Sequence, residues 1–181
     1  TVSVGPGQTY EFVRGTPEIE SVSELRTGGV YRVESDIPIV AYQHSPVGSN
    51  ATNDASMLIP ENAQGQAFVV ASYASDLTTY PSYLNVIALE DNTNVSWTPP
   101  GSTAGGIGVN PVAAGATGSV VRNRFDRLQI APTSGGDISG TIVEADKKVA
   151  VWGGSECENV PSGVKFCDHL EEQMLPLNYW G

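Results

Sequence analysis

Short runs of apolar and β-branched residues recur along the chain, and clusters of glycine, proline, asparagine and aspartate separate them. The clearest runs are Leu84–Leu89, Val95–Trp97 and Leu128–Ile130. Runs of this length between turn-forming residues are typical of β-strands, and helical periodicity is almost absent. The pattern predicts an all-β protein with an antiparallel, sandwich-like architecture. The other runs that predict strands are Tyr10–Val13, Val30–Val33, Ile39–Tyr42, Phe68–Tyr73, Ser119–Val121, Thr141–Val143 and Val149–Trp152.

The charge balance excludes two classes of partner. The 181 residues include 20 acidic and 9 basic ones, which gives a formal net charge of −11. A nucleic-acid-binding protein needs a basic surface, and so does a protein that binds an anionic membrane. No apolar run approaches the roughly 20 residues of a membrane-spanning helix. We therefore expect no nucleic acid partner and no membrane insertion.

Two parts of the chain resemble each other. Val33–Tyr42 matches Val143–Trp152, and the pattern P-x-N-x-x-G occurs at both Pro60–Gly65 and Pro176–Gly181. The second copy carries a few extra residues, which fall in the stretch that holds both cysteines. The match predicts a first β repeat at residues 1–117 and the start of a second, incomplete repeat at residues 118–181. In each copy a turn, Ser35-Asp36 or Ala145-Asp146, is expected to lead into a buried strand.

An incomplete repeat leaves an apolar strand edge that needs a cover. Three alternatives could cover this edge: residues beyond Gly181, strands from the first copy, or a neighbouring molecule. The last of these would be self-assembly through an open strand edge. The chain starts at Thr1 rather than Met, so we expect a mature chain or a part of a longer protein.

Both cysteines, Cys157 and Cys167, lie in one stretch, SECENVPSGVKFCDHLEEQML. Their spacing is wider than the close ligand pairs of zinc sites. A thiol nucleophile has a base in His169, but no third residue to orient the imidazole and no oxyanion donor is evident. A disulfide that closes the inserted loop is the hypothesis that the residues favour.

Acidic residues supply the remaining candidates for chemistry. Asp54 and Asp168 occupy similar positions in the two copies, and Asp168 has further acidic residues around it. Such a cluster is a candidate for calcium, which binds oxygen ligands, and we predict no other cofactor or metal. The same carboxylates, Asp54, Asp168 or Glu172, are the ones that a secreted carboxylate-dependent hydrolase would use. This enzyme is the alternative to a binding module.

Three stretches carry a resemblance to a known family: VESDIPIVAYQHS, SYLNVIALEDNTNVSW and the block from Val143 to Gly181. They are similar to the N-terminal domain family named for the IgG Fc-binding protein, and the sharpest match is the block C…CDH…EQ…P…WG. Cys157 and Cys167 match the cysteines of the motif. The first copy lacks cysteines, which departs from the family pattern. The other matching residues are Asp168, His169, Glu172, Gln173, Pro176, Trp180 and Gly181.

The resemblance implies a bacterial-type extracellular homologue, located outside the cell or at its surface. We expect a non-enzymatic binding or structural module that acts in adhesion, matrix or surface assembly through protein or glycan contacts. The candidate binding residues are Asp168, His169, Glu172 and Asp54. Immunoglobulin binding belongs to the protein that named the family and is not carried over.

Overall fold

The structure, a computed structural model, describes residues 1–13, 22–45, 53–74 and 80–180. The fold is nearly all β, which confirms the predicted class. Short 3-10 turns occur at Glu61–Ala63 and Leu177–Tyr179. The strands are β1 (Ser23–Arg26), β2 (Tyr42–Ser45), β3 (Asp54–Met57), β4 (Gly65–Val69), β5 (Ser82–Ala88), β6 (Thr93–Thr98), β7 (Gly106–Ile107), β8 (Gly118–Arg122), β9 (Arg127–Ile130), β10 (Ile142–Glu158) and β11 (Asp168–Gln173).

Strand β10 organises the main sheet. Along one edge it pairs first with β6 and then with β5, and along the other edge first with β4 and then with β11. The register shifts between Glu144 and Val149, where the sheet curls. One half of the sheet continues through β6 to β8, and the other continues through β5, β9 and β1 to β7. All pairs are antiparallel except β1 with β7, so the sheet is mixed.

The core lies between the two halves of the curled sheet. Side chains alternate along a strand, so every second residue of β5 and β6 faces inward. Leu84, Val86, Val95 and Trp97 accordingly have exposed fractions of 0–2%. Phe68 on β4 is also fully buried and packs with them. Burial of each such side chain stabilises the fold by about 1.5–3 kcal/mol.

Strands β2 and β3 form a separate two-stranded sheet that packs against β11. Tyr42 pairs with Met57, and His44 pairs with Ala55. These two strands, called here the β2–β3 hairpin, are important for the site described below. Among the described residues, no helix is long and apolar enough to cross a membrane.

The prediction of strands at the apolar runs before residue 42 is wrong. The segments 10–13, 30–33 and 39–41 contain no strand, and only Tyr42 begins one. Val33 and Ile39 are 51% and 53% exposed, so alternation of apolar residues does not correspond to a buried face here. The expected turn at Ala145-Asp146 is also wrong, because both residues lie inside β10.

The tandem repeat is not confirmed. Val143–Trp152 lies within β10, whereas its proposed equivalent, Val33–Tyr42, is mostly extended chain without strand pairing. The two Pro-x-Asn segments do share a local structure, because each forms a 3-10 turn. The residue after each turn donates to the carbonyl before its proline: Gln64 Nε2 to Ile59 O at 2.9 Å, and Trp180 Nε1 to Leu175 O at 3.3 Å.

The division into repeats at residues 1–117 and 118–181 stays a prediction. Strands β4, β5 and β6 of the first range pair directly with β10 of the second, so one sheet contains both. Gly181 lies outside the described residues.

Candidate functional site

A disulfide joins Cys157, near the end of β10, to Cys167, the residue before β11. The S–S distance is 1.98 Å and the Cα atoms are 5.2 Å apart. This confirms the predicted disulfide. Neither sulfur is free, so the zinc and thiol-nucleophile hypotheses for this pair are wrong. The bridge closes the loop between the two strands.

The segment Asn159–Phe166, called here the cystine loop, exposes apolar side chains. Val160 is 52% and Phe166 is 77% exposed. Phe166 has a φ of 77°, a left-handed conformation that is uncommon for an aromatic residue. Lys165 Nζ lies 5.4 Å from the centre of the Phe166 ring, a cation–π contact. The loop therefore presents an aromatic ring and a cation side by side.

Strand β11 carries a polar face that is buried. His169, Glu171 and Gln173 are two residues apart and lie on the same side of the strand. His169 and Gln173 are 3% and 4% exposed. The side chain of Glu171 is 8% exposed. Buried polar groups need partners, and this face has two sources of them: strand β5 and the β2–β3 hairpin.

Tyr83 of β5 reaches this face across β10. Tyr83, Gly154 and Glu171 are opposite one another on the three neighbouring strands. Two strand spacings separate Tyr83 from Glu171, about 9–10 Å, and Gly154 leaves the space between them open. A Cβ atom on Gly154 would lie 3.0 Å from the Tyr83 hydroxyl and would collide with the Leu170 carbonyl. Glycine at 154 is thus what permits the contact.

Tyr83, His169 and Glu171 form a buried cluster. The Tyr83 hydroxyl donates to Glu171 Oε2 at 3.2 Å and lies 3.4 Å from His169 Nε2. His169 Nε2 is 3.9 Å from Glu171 Oε2, and His169 Nδ1 is 3.2 Å from the Glu156 carbonyl. Because the cluster is almost fully enclosed, it holds the strands together and is not open to a substrate.

Burial and the neighbouring carboxylates shift two pKa values in this cluster. Burial raises the pKa of Tyr83 well above 10.0, and the hydrogen bond and charge of Glu171 add to the effect. Burial alone lowers the pKa of His169, but the hydrogen bonds to Glu171 and to the Glu156 carbonyl and the charges of Glu171 and Asp54 outweigh it. The net result is a pKa raised from 6.5. Protonation of His169 therefore stabilises the cluster.

The β2–β3 hairpin attaches to the free edge of β11 through side chains. The Glu171 N–H donates to Asp54 Oδ2 at 2.7 Å, and the Gln173 N–H donates to Ser56 Oγ at 3.0 Å. In return, the Asn53 N–H donates to Asp168 Oδ1 at 2.8 Å. These bonds occupy backbone groups that an edge strand would otherwise expose.

The structure engages all four predicted binding residues in contacts within the fold. Asp54 and Asp168 accept backbone N–H groups across the β3–β11 contact, and Glu172, which is exposed, lies 3.4 Å from the Ser56 hydroxyl of β3. His169 lies on the opposite face of β11 from Glu172 and contacts Tyr83 of β5. Among the described residues, no group of three or more histidine, cysteine, aspartate or glutamate side chains is placed to hold a metal ion.

Sequence reasoning missed Tyr83, Ser56 and Gln43 as partners of this region. Gln43 Nε2 donates to Glu171 Oε2 at 3.2 Å, across 128 residues of sequence. One signal was present: the polar residues His169, Glu171 and Gln173 are spaced two apart in the sequence. Such a pattern indicates a strand face with polar partners, but the partners themselves depend on register between strands that are distant in sequence.

An open groove of about 560 Å³ lies beside the end of β11. Most of its wall is apolar, and Glu172 is the one carboxylate among its lining residues. Met57, Leu175 and Trp180 are 51–56% exposed there. The residues that line this groove, called here the β11 groove, are Met57, Ile59, Val69, Val70, Ala71, Glu172, Gln173, Met174, Leu175 and Trp180.

Comparison with known families identifies this architecture. A family model described as IgGFc binding protein matches residues 54–181, from the first residue of β3 through the cystine loop and the β11 groove. The chain belongs to the IgGFc-binding protein family. No curated protein and no solved structure matches the chain. IgGFc-binding domains are extracellular, and the family is one of non-catalytic binding domains. The chain is therefore an extracellular binding module, which agrees with its disulfide.

Proposed function

We propose that this IgGFc-binding family module binds a protein partner through its cystine loop, and that it acts in adhesion or in assembly of a cell surface or matrix. The observation that carries the proposal is Phe166, which is 77% exposed at the end of a loop closed by a disulfide. Aromatic residues dominate the binding energy of many protein interfaces. A loop that is fixed before binding loses little entropy when a partner binds.

The chemistry of the loop favours a protein over a glycan. Its exposed side chains are mainly apolar: Val160, Val164 and Phe166. An apolar patch of this kind suits the apolar centre of a protein interface, which excludes water from an anchor residue. The hydrolase alternative has no observation in its favour, because Asp54 and Asp168 use oxygen atoms to accept backbone N–H groups at the β3–β11 contact.

The first partner to test is the Fc fragment of IgG, for which the family is named. Immobilised chain should bind Fc but not Fab in a surface-binding assay. Phe166→Ala should raise the dissociation constant by about tenfold or more. A tenfold rise is a loss of about 1.4 kcal/mol of binding free energy, and truncation of an interface anchor costs at least that much. Val121→Ala, which truncates a 55% exposed valine on β8, is the matched control.

Phe166 is largely exposed, so its truncation should leave the unfolding midpoint unchanged. A loss of binding without a loss of stability would support the loop as the contact surface. Equal affinity of the Phe166→Ala and Val121→Ala variants would contradict it, and absence of Fc binding by the unmodified chain would exclude Fc as the partner.

A further inference from the structure

We propose that the β11 groove binds the cystine loop of a second copy of this chain, so that copies associate head to tail. The inference rests on the proposed function, because it takes the cystine loop as a contact surface and names one of its partners. It adds a second surface, the groove, to which the proposed function assigns no role.

The loop has a cation that its own molecule does not neutralise. Every other lysine and arginine in the described ranges has an ion pair or a hydrogen bond, whereas Lys165 contacts only the ring of Phe166. The remainder of the loop carries no acidic residue, on a chain of net charge −11. An aromatic ring beside an uncompensated cation fits an apolar site that has a carboxylate at its rim.

The β11 groove has that combination. Its wall is apolar, with Met57, Leu175 and Trp180 all more than half exposed. Glu172 is exposed, and among the described side chains its contact is a long one of 3.4 Å to the Ser56 hydroxyl. A phenyl ring inserted among the apolar side chains would bring Lys165 towards Glu172. Contact would remove apolar surface from water at both sites, which is favourable.

The loop cannot reach the groove of its own molecule. Phe166 lies two residues before the start of β11, and Met174 directly follows its last residue. The six residues of the strand separate the two sites by about 20 Å, at roughly 3.3 Å per residue. The disulfide fixes the loop at the far end of the strand. The contact must therefore form between molecules.

A loop that enters a different surface on its neighbour makes a heterologous contact, which leaves one loop and one groove free at the two ends. Such contacts propagate along a row of copies. A single contact of this size is weak, and many of them on a crowded surface act together. The arrangement suits a module that assembles a layer or matrix.

Charge reversal tests the contact. Sedimentation velocity of the unmodified chain at low ionic strength should show an average mass that rises with concentration. Lys165→Glu and Glu172→Lys should each raise the concentration needed for association by about tenfold or more, because each places like charges together. Glu144→Lys reverses an exposed carboxylate on β10 that is not among the residues lining the β11 groove, and should change nothing.

The mixture of the two reversed variants gives the sharpest result. Each variant alone brings like charges together, but in the mixture every loop can meet a groove of opposite charge. Association should therefore return in the mixture, as an alternating row. Absence of rescue would overturn the proposal, as would an unmodified chain that is monomeric at every concentration. Association that survives both reversals would show that copies associate through other surfaces and would also overturn it.

The two proposals fail separately. If the unmodified chain is monomeric while Phe166→Ala still loses Fc binding, the proposed function stands and docking between copies is wrong. If copies associate through the groove but Phe166→Ala keeps full Fc affinity, the cystine loop contacts other copies of the chain and the proposed function is wrong.

Discussion

A single glycine decides whether the buried cluster can form. Tyr83 and Glu171 lie on strands that do not touch, and their side chains meet only because Gly154 between them lacks a Cβ atom. The sequence shows Trp152-Gly153-Gly154 as a plain end to an apolar run. The role of Gly154 depends on how β10 is aligned with β5 and β11, and no local sequence pattern indicates that alignment.

Gly154→Ala should therefore be strongly destabilising. The added methyl group would collide with the Leu170 carbonyl and approach the Tyr83 hydroxyl to 3.0 Å. Overpacking of this kind costs about 1–3 kcal/mol, and loss of the Tyr83–Glu171 hydrogen bond adds to it. Urea unfolding measures the change. Ala113→Gly, a change of one methyl group at an exposed loop position, is the control, and equal effects of the two would contradict the argument.

His169 should make stability depend on pH. Its pKa is raised in the folded protein from 6.5, the ordinary value expected when unfolded. The contribution of His169 to the free energy of unfolding is thus fully present below about pH 6.5 and is lost as the pH rises through the folded-state pKa. Thermal unfolding should show a fall in stability across that window.

The comparison with His169→Gln isolates this contribution. The variant should flatten the fall above about pH 6.5. His44→Gln changes the other histidine of the chain, which is exposed on β2, and should keep the profile of the unmodified protein. An unchanged slope in His169→Gln would show that another group produces the pH dependence.

The elements differ in how well the sequence predicts them. Strands β5, β6 and β9 follow the predicted runs, because each buries apolar residues against the core. Strand β8 also follows its run, although Val121 is 55% exposed there. The runs before residue 42 have the same alternation but remain exposed, so composition alone does not distinguish them. The disulfide was predictable because both cysteines lie in one loop. The attachment of the β2–β3 hairpin to β11 was not, since it uses side chains from segments more than 100 residues apart.

Removal of the disulfide should loosen the cystine loop and leave the sheet intact. Cross-linking a loop of ten residues contributes about 3 kcal/mol in the chain-entropy model. Replacement of both cysteines by serine should lower the free energy of unfolding by about that amount and preserve the far-UV circular dichroism spectrum. Reductant should destabilise only the unmodified protein. Two alkylatable thiols in the untreated protein would show that the bridge is not formed.

The hairpin should detach when its acceptors on β3 are removed. Asp54 and Ser56 accept the Glu171 and Gln173 N–H groups of β11. The double substitution Asp54→Ala and Ser56→Ala should therefore abolish hydrogen-exchange protection at those two amides, while the amides of β5 and β9 stay protected. Asp36→Ala, in an exposed segment, is the control. Retained protection at Glu171 and Gln173 would contradict this role.

For the molecule as a whole, β10 is the feature that sequence reasoning could not foresee. The segment Ala145-Asp146-Lys147-Lys148 has the composition of a turn. The sequence therefore predicted two separate strands, one on each side of this segment. In the structure the strand continues through the curl, because β4 and β5 both pair with Val149 from opposite edges. Cross-strand pairing outweighs a local preference for a turn.

The position of β10 predicts that the molecule unfolds as one unit. Both proposed repeats contribute to its sheet, so the segment 118–181 should not unfold separately. Val149→Ala removes methyl groups from a fully buried position shared by both halves and should cost about 2–3 kcal/mol. Tryptophan fluorescence and far-UV circular dichroism should then give coincident urea transitions, shifted equally by the substitution. Two separated transitions, of which Val149→Ala moves only one, would instead favour a repeat boundary near residue 117 with a second unit that folds on its own.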